Sequence, residues 1–191
     1  MGSKRGHQSK SNRQAPNDIE EAFRRFDKMA VGDIKRAFDG GAKVGAFILT
    51  FVAIDCLATW RAGHDSNAKC FEKFVTKFFP KQYEVFAKDF YTLLRSGLVH
   101  NYSIKKGKYA LTDGDPRIHL EETPDGITML NWEDFFRDFL TARDRYYEAV
   151  RRSEKLQHRI QGQISRQGLL EVRQISFDWL LNGNTVEIST I

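Results

Sequence analysis

Apolar positions recur at three- and four-residue steps through most of the chain. Ile19, Ala22, Phe23, Phe26, Ala30, Ile34 and Ala37 predict a first helix to about Phe38, with Asn17 and Glu20 as a capping box. Gly40-Gly41 stops it. Residues 42–62 are apolar on most sides, as in a central core helix, and Gly63 follows as a stop. Ser66 or Asn67 caps a third helix whose inner face is Phe71, Phe74, Val75 and Phe78. Pro80 opens a fourth, with Tyr83, Phe86, Phe90, Leu93 and Leu94 facing inward. The pattern then changes. Turn signals around Gly107 and at Pro124-Asp125-Gly126 predict a small β-hairpin appendage at about 102–130. Asn131 caps a long helix with an inner stripe of Trp132, Phe135, Phe136, Phe139, Leu140, Tyr146, Tyr147 and Val150. The expected fold is mainly α: an up-and-down bundle of four to five helices over 17–160. A basic arm precedes it at 1–16. A C-terminal segment follows at 161–191, where Asn182-Gly183-Asn184 favours a hairpin.

Composition agrees with a folded domain. Apolar residues form 41% of the chain and Phe alone contributes 15, enough for a substantial core. Cys56 and Cys70 lie within apolar helical patterns and read as buried thiols. His64 lies between them, but the spacing matches no common zinc site, so no metal and no cofactor is expected. The most apolar run, Val44 to Ile54, is about half the length that spans a bilayer and ends at Asp55. With no secretion signal at the basic N-terminus, the expected location is the cytoplasm and no membrane partner is expected.

Charge alters the picture by its placement. The net charge is +5, but residues 69–108 hold nine Lys or Arg against three acids, whereas residues 113–148 hold ten acids against four Arg. A basic middle suits a polyanionic partner such as RNA, with Lys69, Lys73, Lys77, Lys105 and Lys106 as candidate contacts. The first three are four residues apart and line one helix edge, which is equally the pattern of a solvated face.

The basic segment contains Arg95-Ser-Gly-Leu-Val-His100-Asn-Tyr102. An Arg five positions before a His arises about 0.4 times by chance in a chain of this composition; adding Tyr two residues later lowers that to roughly 0.01. The stretch, set at the end of an amphipathic helix, resembles the Arg–four residues–His–X–Tyr signature of HEPN domains. Those helical bundles include dimeric, metal-independent ribonucleases of toxin–antitoxin and phage-defence systems. The likeness covers 18–102 and the helix from 131. Ser96 stands where the family often has a larger polar residue, and the β appendage and C-terminal segment lie outside the minimal domain.

The resemblance implies a metal-independent endoribonuclease acting as a homodimer, with Arg95 and His100 catalytic. The residue types fit that chemistry. Histidine can take a 2′-hydroxyl proton or protonate the leaving oxygen, and a guanidinium can hold the charge that builds on the phosphoryl oxygens. The bland readings are a helix-end Arg paired with a carboxylate and a satisfied helix-end His. Asp55 either orients Arg95 or forms an unrelated pair. Ser96 is a supporting candidate. Tyr102 is a packing residue or, as in some HEPN toxins, the site that a partner nucleotidyltransferase antitoxin modifies with AMP. The alternative functions are a non-catalytic RNA- or nucleotide-binding or dimerisation module and a pure protein-interaction subunit. On a straight helix, five residues rotate the chain by about 140°, so Arg95 and His100 would not share a face. Either the helix distorts near Gly97 or the site draws on two protomers across a two-fold axis.

Overall fold

The computed structural model describes residues 15–104 and 107–168. Of the basic arm expected at 1–16, residues 15–16 instead open the first helix, while residues 1–14, Lys105, Lys106 and the hairpin expected after 181 lie outside the described residues.

The chain is mainly helical. Helix α1 (Ala15–Phe26) runs through a π-helical stretch, Asp27–Val31, into α2 (Gly32–Asp39). One continuous helical path thus covers the first expected helix, and it starts ahead of the expected capping box at Asn17. Helix α3 (Lys43–Ala62) packs against α2 and against α4 (Ala68–Phe78), α7 (Trp132–Arg151) and α8 (Glu154–Gln167), and is the hub of the bundle. It ends where Gly63 takes a left-handed conformation (φ 78°) that only glycine adopts readily. By length and composition α3 could cross a membrane. Half of its apolar window is buried inside the fold, as expected of a core helix. Asn67 accepts from the Cys70 N–H and caps α4 (Ala68–Phe78).

The fourth expected helix is not uniform. After Pro80 the chain makes a 3₁₀ turn (Lys81–Phe86), a short α5 (Ala87–Asp89), a π-helical stretch (Phe90–Arg95) and α6 (Ser96–Asn101). Tyr83, Ala87, Phe90, Leu94 and Leu98 are its buried line, while Phe86 and Leu93 pack only partly against the core. An aromatic knot holds this line. Phe90 meets Phe51 of α3, Phe135 of α7 and Tyr83 edge-on, with centroids 5.8 Å apart in each case.

The appendage departs from expectation. Strands β1 (Tyr109–Thr112) and β2 (Thr128–Asn131) pair in parallel, with Tyr109 opposite Thr128 and Thr112 opposite Asn131. The reversal at Pro124-Asp125-Gly126 does form. Gly126 N–H donates to Thr123 O, Met129 N–H to Glu121 O and Leu120 N–H to Met129 O. That local hairpin occupies one edge of β2, and β1 pairs with the other edge in parallel.

Asn131 then caps α7 (Trp132–Arg151) through the Asp134 N–H. Of the expected stripe, Phe136 and Leu140 are only partly buried. Ser153 caps α8 (Glu154–Gln167), which continues through residues 160–161, where the helical domain was expected to end. It packs on α1, α3 and α7.

Candidate active site

Residue 55 on α3 and residue 95 on the neighbouring helical path meet in one polar cluster. Asp55 Oδ2 accepts from Arg95 Nη2 at 2.8 Å. Arg95 Nη1 lies 3.4 Å from His100 Nε2. Arginine only donates, so His100 accepts on Nε2 and carries its proton on Nδ1 in this arrangement. The Arg95 guanidinium also lies over the Tyr91 ring, 5.4 Å from its centroid. The Asp55 and Arg95 side chains are 15% and 21% exposed, whereas His100 is open to solvent. The cluster therefore has a sheltered, oriented cation and an accessible imidazole.

Arg95 and His100 meet within a single chain. The π-helical stretch ends at Arg95, and the Ser96 N–H donates to Tyr91 O, five residues back. That widened turn breaks the regular helical rotation just ahead of the motif. The chain closes soon after His100. Tyr102 adopts a left-handed conformation (φ 50°), its N–H donates to Leu98 O, and the Ser103 N–H donates to Gly97 O. Gly97 is needed by its own chain: a Cβ there would sit 2.5 Å from the Ser103 carbonyl oxygen. The room it leaves is filled by that carbonyl.

The other candidates fall in different places. Ser96 lines a small polar hollow with Thr92, Gly97, Asn101 and Ser103, which neither Arg95 nor His100 lines. Tyr102 is 68% exposed and not a packing residue. Lys69, Lys73 and Lys77 lie on the exposed edge of α4; among the described residues no contact joins them to the Arg95 cluster. Lys105 and Lys106 lie outside the described residues. Cys56, next to Asp55, is unsuited to nucleophilic work: burial and then the Asp55 charge push its thiol up to about 12.

Two buried polar atoms in the cluster, Asp55 Oδ1 and Arg95 Nε, have no hydrogen-bond partner. A carboxylate–guanidinium pair with unused acceptor and donor capacity is incomplete as it stands.

Sequence reasoning missed a second polar network. The Asn131 N–H donates to His119 Nδ1 at 3.1 Å, which places the ring proton on Nε2. His119 Nε2 then donates to Tyr83 Oη at 2.7 Å, and Tyr83 donates to Asp138 Oδ2 at 2.9 Å. Burial holds His119 below the usual histidine range, against the opposing pull of Asp134 and Asp138. The network pins the β appendage to α7 and to the 3₁₀ turn. No local motif announces it, because its members are 36 and 55 residues apart.

No family model matches the chain, and no curated protein or solved structure matches it significantly. The functional reading therefore rests on the residues and their geometry.

Proposed function

We propose that the chain is a metal-independent endoribonuclease of HEPN type whose site is Arg95 and His100, with Asp55 orienting the arginine. The observation that carries the reading is the Asp55–Arg95–His100 contact chain, in which a held guanidinium touches a solvent-open imidazole. In that reaction His100 takes the proton of a 2′-hydroxyl, the 2′-oxygen attacks phosphorus, and the 5′-oxygen leaves with a proton. The products are a 2′,3′-cyclic phosphate and a 5′-hydroxyl. Arg95 holds the non-bridging phosphoryl oxygens as charge builds on them.

The attack and the departure each need a proton carrier, and one chain supplies one His100. A homodimer would supply two. The apolar surface beside the site suits such a contact. Val52 and Leu49, one and nearly two turns ahead of Asp55 on α3, are large apolar side chains left 43% and 36% exposed. They border a cavity of about 300 Å³ also lined by Ala22, Phe26, Met29 and Trp60. A Val52→Arg chain is expected to be monomeric by light scattering and to lose cleavage.

The test of the activity is incubation of single-stranded RNA with purified protein in EDTA. Cyclic-phosphate ends from the wild type and none from His100→Ala support the reading. Intact RNA with the wild type, or full cleavage by an Arg95→Ala/His100→Ala chain, sinks it. Such an enzyme fits a toxin or defence effector of the cytoplasm, and the exposed Tyr102 fits modification by a nucleotidyltransferase antitoxin. A second reading, a non-catalytic RNA-binding module, predicts salt-sensitive binding without product.

A further inference from the structure

At the C-terminal end of α3 the surface carries an open hollow bounded by Gly63, Lys155, His158, Arg159, Gly162 and Arg166. Every charged or titratable group in that boundary is basic. None of the described carboxylates forms an ion pair with Lys155, His158, Arg159, Arg166 or the neighbouring Arg61. Asp65 is tied to α8 by a hydrogen bond, accepting from Gln167. The positive charge is concentrated enough to act within the protein: burial first, and the Arg159 charge second, hold Arg61 below the usual arginine range.

The cations are also held in place. Arg159 Nη1 donates to Arg61 O at 2.9 Å, and Arg166 Nη2 donates to Gly63 O at 2.7 Å. Arg166 Nε donates weakly to Gly162 O at 3.3 Å. These bonds satisfy carbonyls at the end of α3 and fix both guanidinium groups, yet leave most of their N–H donors free. Two glycines border the hollow. A Cβ at Gly63 would lie 2.7 Å from Arg159 Cγ and displace that side chain. Gly162 is mid-helix, and a Cβ there would meet nothing within 4 Å, so a side chain added at this lining position has room beside the basic groups.

We infer that this hollow binds the phosphodiester backbone of single-stranded RNA, and that it is a substrate-docking site separate from the Arg95 cluster. Oriented guanidinium donors with no ion-paired carboxylate suit phosphate oxygens, and the flanking Lys155 adds charge without geometric demand. Helix α3 links the two regions, since Asp55 precedes Gly63 on it by roughly 12 Å of helix axis. The choice of RNA over other polyanions rests on the proposed ribonuclease activity; the anion site itself does not.

The test uses the full chain and a fluorescein-labelled, fully 2′-O-methylated oligoribonucleotide, which lacks the attacking hydroxyl and stays intact. Binding is read by anisotropy against salt. Gly162→Glu places a carboxylate beside the basic groups of the hollow and is expected to weaken binding about tenfold. Gly162→Ala is expected to bind as the wild type does. Lys155→Ala is expected to lower the slope of log affinity against log salt by roughly one. Equal affinity and equal salt slope for Gly162→Glu and Gly162→Ala, both folded by circular dichroism, overturn the inference. Cleavage of unmodified RNA by the wild type is measured alongside. Weakened binding in Gly162→Glu without wild-type cleavage keeps the anion site and removes the ribonuclease. Cleavage with undiminished Gly162→Glu binding does the reverse.

Discussion

At the residue scale the site depends on what arginine does that lysine cannot. Arg95 gives one Nη to Asp55 and presents the other to His100, while its plane lies over Tyr91. A lysine has a single point of charge and cannot make all three contacts. Arg95→Lys is therefore expected to lower the cleavage rate by about a hundredfold, measured as kcat on a fixed RNA, with the fold unchanged. Asp55→Asn keeps an acceptor but removes the charge that holds the guanidinium. Its expected loss is smaller, about tenfold in kcat. Tyr102 tests the backbone. A tyrosine at φ 50° carries steric strain that glycine would not. Tyr102→Gly should raise stability by about 1 kcal/mol in urea denaturation, and a fall would show that the Tyr102 ring contributes more than its backbone strain costs.

At the element scale the informative segment is 81–101. Its buried line of Tyr83, Ala87, Phe90, Leu94 and Leu98 has the three- and four-residue steps of an ordinary amphipathic helix. The path through those positions includes a 3₁₀ turn and a π-helical stretch. Periodicity picks out Tyr83, Phe90 and Leu94, but the irregular turns shift the phase, so Ala87 and Leu98 are buried and Phe86 and Leu93 only partly. The segment's core contacts come from distant elements, here the Phe51 and Phe135 rings that meet Phe90 edge-on. The motif itself was legible as residue types, but its geometry was not. Arithmetic on a straight helix separates Arg95 from His100, yet Nη1 of the long arginine side chain comes within 3.4 Å of His100 Nε2 across the α-helical turns of Ser96–Asn101. The end of the segment is equally specific. Gly97→Ala drives a Cβ onto the Ser103 carbonyl and should cost about 1–3 kcal/mol while displacing His100. Gly162→Ala, where the Cβ meets nothing, is the control and should stabilise by up to about 1 kcal/mol.

At the scale of the whole molecule, two features couple distant segments. The aromatic knot joins α3, the 81–101 path and α7 around Phe135. Phe135→Ala should cost about 3–5 kcal/mol by denaturation and loosen the site that Phe90 anchors. The second feature is the His119–Tyr83–Asp138 network. Burial depresses the His119 pKa in the folded state, so the unfolded chain binds its proton more readily. The stability this confers is complete above the ordinary histidine range and is lost as pH falls through it toward the folded value. The urea midpoint should therefore fall between neutral and mildly acidic pH, and His119→Gln should flatten that dependence. An equally steep dependence in His119→Gln would assign it to other groups, with Asp134, Asp138 and Arg137 the charges that act on this site.

The chain by itself determined what local physics can carry. It specified the helical character, most of the core-facing positions, a cap at Ser66 or Asn67 and another at Asn131, the stop at Gly63 and the turn at Pro124-Asp125-Gly126. Each depends on a few neighbouring residues. It also singled out Arg95, His100 and Asp55, as types and not as an arrangement. The parallel pairing of β1 with β2, the π-helical stretch, the Asp55–Arg95 contact and the basic hollow between α3 and α8 were decided only in the folded molecule. Each joins residues far apart in sequence, or a local geometry imposed by distant packing, and no pattern of neighbouring residues encodes a contact formed when separate helices share one core.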